Sequence, residues 1–120
     1  VWSGEGFLMA ETILSKRRRQ LKESLRQKAL QRLKEAVLFL YDEGAEAVYI
    51  FGSVLKPLEF NEHSDIDIAV WDIAEDKRTY VTVKIEEIFR EMPFDIIFLE
   101  DDLRPEIREK IKKEGVLWKP

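Results

Sequence analysis

The sequence predicts a small α/β (α+β) fold, a mixed sheet flanked by helices, and three observations carry that expectation. Residues 10–43 contain neither Gly nor Pro and set Leu21, Leu25, Ala29, Leu33, Val37 and Leu40 three or four apart, the apolar stripe of one long helix. Three short β-branched and aromatic runs follow, at 47–51, 66–70 and 94–99, each the length of a strand. Helix-length segments at 75–91 and 105–114 complete the order helix, strand, strand, helix, strand, helix, which suits helices layered on a small sheet.

Each element has a local reason. The long N-terminal helix, expected over 12–43, stops at Gly44, since glycine takes up positive φ without a Cβ clash. Ala47-Val-Tyr-Ile-Phe51 reads as a buried strand running into a tight turn at Gly52-Ser53, and 54–64, with Pro57, Asn61 and Ser64, as a loop. In the next strand Ile66, Ile68 and Val70 alternate with Asp65, Asp67 and Ala69, so both carboxylates leave one face at one end, and Trp71 shares that face as a packing residue. Segment 75–91 reads as a helix ended by Pro93, despite Thr79, Val81, Thr82 and Val83, whose branched Cβ atoms lose rotamer freedom in a helix. Phe94 to Leu99 is a third strand with Asp95 near its start. Glu100-Asp101-Asp102 then forms an acidic turn, solvated or capping the last helix, which Gly115 stops.

Apolar residues make up 45% of 120, enough for one core and too many for a disordered chain. Met9 suits a native start, which makes residues 1–8 a tag or upstream extension and 9–120 a single domain with its core at about 45–100. No cysteine and one histidine, His63, are present. Disulfides, thiolate zinc sites and histidine clusters are therefore excluded, any metal must take oxygen ligands, and His63 reads as a polar loop residue. No apolar run approaches the ~20 residues of a membrane span and no signal-peptide pattern opens the chain, so a cytoplasmic protein without membrane contact is expected. The net charge of −4 is unevenly spread: nine Lys or Arg face one acid, Glu23, within 16–34, and seventeen acids face five bases within 41–102. A basic helix of this kind suits phosphates, an acidic partner or plain solvent. It lacks interleaved aromatics for base stacking, so no direct nucleic-acid binding is expected.

With eight Asp in the chain, a lone Asp-x-Asp arises by chance in roughly half of shuffled sequences. The surroundings of Asp65 and Asp67 make it informative: a Gly-Ser turn ends the preceding strand, and Asp95 interrupts an apolar one, where a charge is costly unless exposed, paired or bound to a cation. Three carboxylates on neighbouring strand ends repel one another, and a hard divalent cation such as Mg2+, which prefers oxygen ligands and substrate phosphates, relieves that repulsion. Gly52 lets the backbone approach a phosphate while the Ser53 hydroxyl and the turn amides donate hydrogen bonds. Together these residues predict a metal–nucleotide phosphate site.

Gly52-Ser53, then Ser64-Asp65-Ile66-Asp67-Ile68-Ala69-Val70, then Phe94-Asp95-Ile96-Ile97 resemble the minimal nucleotidyltransferase domain of the DNA polymerase β superfamily, over about residues 45–100. The resemblance implies the nucleotidyltransferase fold. It implies that Gly52 and Ser53 hold the triphosphate, with Ser64 joining the nucleotide-binding motif, and that Asp65, Asp67 and Asp95 are the catalytic, Mg2+-binding residues, Asp95 also helping to deprotonate the attacking hydroxyl. It further implies an antitoxin paired with a HEPN-domain ribonuclease toxin, to whose tyrosine AMP is transferred from ATP. Two features depart from the family. The turn continues Val54-Leu55-Lys56-Pro57 where a small or Arg residue and a second Gly are usual, and Lys56 is expected to supply the missing basic contact. The long helix exceeds the minimal core, and its Lys16, Arg17, Arg18, Arg19, Lys22, Arg26 and Lys28 are the expected docking face for the toxin. Two alternatives stand beside this reading: a non-catalytic antitoxin that neutralises its partner by occlusion, and a small-molecule nucleotidyltransferase, for which little chain remains outside the core.

Overall fold

A computed structural model describes residues 4–100 and 104–120, with side chains from residue 12 onward. Its elements are α1 (Gly4–Asp42), β1 (Ala47–Phe51), β2 (Ile66–Trp71), α2 (Arg78–Phe89), β3 (Phe94–Leu99), α3 (Pro105–Glu114) and β4 (Val116–Trp118). The strands form one mixed sheet in the order β3-β2-β1-β4. β1 is antiparallel to both β2 and β4, whereas β2 and β3 run parallel and are therefore joined by a crossover, which α2 provides.

Alternation along the strands divides the sheet into two faces. Val48, Ile50, Ile66, Ile68 and Val70 pack against Ala29, Leu33, Ala36, Val37 and Leu40 of α1 and Val81, Ile85 and Phe89 of α2, all buried. On the other face Ala69 and Leu99 pack under Ile111 of α3, beside Tyr49, Phe51 and Trp71. The sheet is thus the middle of three layers. Asp67, one step out of phase with Ile66 and Ile68, emerges on the α3 side, as does Asp95.

β1, β2, β3 and the last helix lie where the sequence places them; the remaining differences have physical causes. α1 begins at Gly4, earlier than residue 12. α2 begins at Arg78, behind a single 3-10 turn at Glu75–Lys77. It ends at Phe89 before Pro93 can act, because Arg90 turns to a φ of 58° and its N–H bonds the Glu86 carbonyl at 2.8 Å. Its β-branched residues are tolerated because Val81, Ile85 and Phe89 fall four apart and bury together, and that burial outweighs a propensity cost of a few tenths of a kcal/mol each. Glu100 pairs with Arg78 at 2.9 Å; Asp101 and Asp102 of the expected acidic turn lie outside the described residues.

β4 was not expected from the sequence, being three residues long. The Tyr41 hydroxyl helps to hold it, donating to the Trp118 carbonyl at 2.5 Å and accepting from the Val48 N–H at 3.3 Å. Gly115 precedes it in an extended conformation, φ −83°, and not in the left-handed one of a helix stop. Its role is close packing: a Cβ there would lie 2.7 Å from the Phe51 ring and from the Ile111 carbonyl.

Candidate active site

Because β1 and β2 are antiparallel and β2 and β3 parallel, the end of β1 and the starts of β2 and β3 meet at one edge of the sheet. Phe51 is in register with Asp67, and Asp67 with Asp95, so three adjacent strands deliver Gly52, Asp67 and Asp95 together. Gly52 has φ 86° and ψ −163°, a region essentially restricted to glycine. A Cβ on it would stand 3.0 Å from Asp67 Oδ2, so both the turn and the approach of the carboxylate require this residue. The turn is anchored from below. Val54 is fully buried in the core, the Leu55 N–H bonds the Gly52 carbonyl at 3.2 Å, and Arg26 Nε of α1 donates to the Val54 carbonyl at 2.8 Å. Arg26, one of the residues expected on a docking face, tethers the turn that follows Gly52, with its guanidinium held by Glu23 at 3.2 Å.

A cleft of about 430 Å3 opens between this edge and α3. Gly52, Asp67 and Asp95 form one end of it, Phe51, Ala69, Ile97, Leu99, Ile107 and Ile111 make an aliphatic wall, and α3 adds Lys110 and Glu114. Ile97 and Ile107 are 55% and 43% exposed; large apolar side chains left open beside a polar edge mark a surface that binds something. The Asp67 carboxyl is pushed above its ordinary range, first by burial and then by the charges of Asp95 and Asp65. Positive charge beside Asp67 would offset this repulsion, a condition that oxygen-coordinated Mg2+ would meet. Among the described residues no group of three His, Cys, Asp or Glu side chains stands ready to hold a metal. Asp67 and Asp95 line the cleft, while Asp65, exposed just before β2, lies off its lining, although its charge reaches Asp67.

The other expected residues are scattered around this edge. Ser53 is half-buried and opens the 3-10 turn Ser53–Leu55. Ser64 Oγ accepts the Asn61 N–H at 3.1 Å, closing the loop before β2. Lys56 is exposed, lies 3.8 Å from Glu59 and does not line the cleft. His63 is an exposed loop residue, as expected, and Trp71 packs beneath Arg108, whose guanidinium lies 6.0 Å from its ring centre. The cation that does line the cleft, Lys110, escaped the sequence reading. Its one signal is a position between Ile107 and Ile111 on a helix stripe, which reads equally as a lysine laying its stem along apolar surface. No described helix is long and apolar enough to cross a membrane.

Known proteins are similar in both sequence and fold. A family model described as "Polymerase beta, Nucleotidyltransferase" matches residues 34–118. No curated protein matches the chain. A solved structure assigned as a minimal nucleotidyltransferase is 27% identical, with a TM-score of 0.57 over 79% of this chain and 93% of its own. A chain from the complex of tri-AMPylated Shewanella oneidensis HEPN toxin with its MNT antitoxin is 20% identical, with a TM-score of 0.45 over 85% of this chain and 73% of its own. The family match spans all four strands and the segments that carry Gly52, Asp65, Asp67 and Asp95, and the chain belongs to the polymerase β nucleotidyltransferase family.

Proposed function

We propose that this protein is a Mg2+-dependent nucleotidyltransferase antitoxin that transfers AMP from ATP to a hydroxyl, a tyrosine by the motif resemblance, of a partner HEPN toxin. The observation that carries the enzymatic part is the meeting of Gly52, Asp67 and Asp95 in the lining of one cleft that Lys110 also lines. The Gly52-Ser53 turn binds the triphosphate through its amides and the Ser53 hydroxyl, and Ser64 shapes the loop that leads into Asp65. Asp67 and Asp95, with Asp65 brought in from just before β2, would hold Mg2+, which would supply neutralisation of the phosphates for in-line displacement. Asp95 lies on the strand next to Asp67 and takes the proton of the acceptor hydroxyl. The acceptor oxygen bonds the α-phosphorus, the bond from that phosphorus to the α–β bridging oxygen breaks, and pyrophosphate leaves. Lys110 faces that charge from α3. The choice of AMP and of a HEPN partner follows the motif resemblance.

The test is intact-mass measurement of the partner toxin after incubation with this protein, Mg2+ and each nucleoside triphosphate. Addition of AMP units with ATP is expected. Asp67→Asn should lower the rate at least ~100-fold, and Ser53→Ala by about 10-fold, since a lost metal ligand costs more than one neutral hydrogen bond. One observation favours a second reading, neutralisation by binding alone: Lys56, the only base in the altered turn, points to Glu59 and not into the cleft. A toxin inhibited without any mass change would select that reading. Modification of a small hydroxyl compound with the toxin left unchanged would select the small-molecule alternative.

A further inference from the structure

Of the part of α1 that precedes the family match, Arg26 tethers the turn after Gly52, whereas residues 12–22 do not line the cleft. Residues 12–22 are all exposed, with Thr12, Lys16 and Arg19 on the side that faces Leu58 across a shallow cleft, and the segment crowds Lys16, Arg17, Arg18, Arg19 and Lys22 into less than two helical turns. Like charges three and four apart destabilise a helix, and a segment of this length gains little from backbone hydrogen bonding alone. Yet Leu14 and Leu21, 52% and 71% exposed, sit among these charges. Their positions are not random. Leu14 and Leu21 fall one heptad apart and one heptad before Lys28, which lies 3.8 Å from Glu91. Leu25 falls one heptad before Arg32, whose Nη1 donates to the Ile88 carbonyl at 3.0 Å, and two before Phe39, whose ring lies 6.3 Å from that of Tyr80. The exposed leucines therefore continue the same face that α1 turns toward α2, past the point where α2 ends.

Among the described residues no second helix covers that face, and the chain carries one suited to it. The outer stripe of α2 and its lead-in turn presents Asp76, Tyr80, Val83 and Glu87, spaced four, three and four apart and all exposed, with Tyr80 and Val83 about half open to solvent. Lys84 reaches into it, 3.5 Å from Glu87 and 5.9 Å from the centre of the Tyr80 ring, which also meets Phe39 of α1 at 6.3 Å. Two apolar residues between two acids complement leucines flanked by Arg17 and Arg18. The lengths also agree, since α2 has 12 residues and the uncovered arm is of similar length, about 18 Å at 1.5 Å per residue. A continuous helix cannot fold back onto its own α2, so the two surfaces meet only between molecules.

We propose that the arm docks on the outer face of α2 of a second copy of this chain, the two copies exchanging arms about a two-fold axis. In such an isologous arrangement each molecule gives one arm and receives one, and the opposite charges set register and association rate while the apolar pairs supply adhesion.

Sedimentation equilibrium over a concentration series at low and high salt tests this directly. A dimer weakened by salt is expected. Arg17→Glu/Arg18→Glu and Asp76→Lys/Glu87→Lys, all exposed positions outside the active-site edge, should each weaken it by at least ~10-fold while circular dichroism stays native. Mixing these two variants should restore a heterodimer, because each acidic arm then meets a basic α2 face and each basic arm an acidic one. A monomer at all concentrations overturns the proposal, including one whose arm is found to bind RNA or another acidic protein instead. A wild-type dimer whose paired variants fail to recombine overturns it too, since the contact would then lie elsewhere.

Discussion

At the scale of single residues the active-site edge is held in tension by like charge. Asp67 is driven above its ordinary pKa by burial and by its two neighbours, so its proton is bound more tightly in the native than in the unfolded chain. Its contribution to stability is fully present below the ordinary value of 3.8 and is lost as pH rises through the raised native value, which leaves the ionised, metal-free edge destabilising at neutral pH. Asp67→Asn should therefore raise the thermal midpoint of the metal-free protein at neutral pH, narrow the gap at acid pH, and abolish the further rise that Mg2+ with ATP produces in the wild type. A variant that melts lower than the wild type at neutral pH would count against carboxylate crowding. Lys110 makes the opposite case. Lys110→Met keeps the aliphatic stem and removes the charge, so calorimetric affinity for Mg2+–ATP should fall by about 10-fold, the worth of one charge-assisted phosphate contact. Lys110→Arg should keep most of the affinity, and the thermal midpoint should hardly move because the side chain is exposed.

At the scale of elements, the short edge strand β4 depends on contacts made by residues far from it in sequence. Tyr41→Phe keeps the ring but removes both the bond to the Trp118 carbonyl and the acceptor for the Val48 N–H. Urea unfolding should show a loss of about 1–2 kcal/mol, and amide exchange at β4 should rise ahead of the other strands. Equal protection of β4 in both proteins would show that backbone pairing with β1 alone holds it. The 3-10 turn after Gly52 is similarly borrowed: its buried Val54 and the Arg26 bond to the Val54 carbonyl tie it to α1, an element outside the strand edge that the turn adjoins.

At the scale of the molecule, α1 is two structures in one helix. Leu33, fully buried between α1 and the sheet, should cost about 2–5 kcal/mol as Leu33→Ala through lost burial and the cavity left behind. Leu21→Ala, at a position 71% exposed, should leave the urea midpoint of the monomer within about 0.5 kcal/mol of the wild type. Similar losses for both would mean that the arm folds back into the core. The charge division follows the same boundary, with the basic arm before the core-packed half and the acids on the body.

The positions of β1, β2 and β3, the last helix and the α/β order were legible in the sequence because each rests on local chemistry: alternation of Ile66, Ile68 and Val70 with Asp65 and Asp67, proline at the start of α3, and glycine where only glycine fits, at Gly44 and Gly52. Gly52, Asp67 and Asp95 were singled out on the same local grounds, a glycine at a strand end and acids that interrupt apolar alternation; in the fold Gly52 and Asp95 are exposed and Asp67 is partly buried. What only the tertiary structure decided are relations between distant segments. The register of β2 against β3 places Asp67 beside Asp95, while Asp65 stays outside the cleft. The packing of α3 over the sheet makes Lys110, and not Lys56, the cation that faces them. Arg26 is a tether because of where Val54 lies, and β4 exists because Tyr41 and β1 hold it. A side chain's neighbours in sequence set its conformation, but the field and the contacts it meets come from segments that only folding brings close.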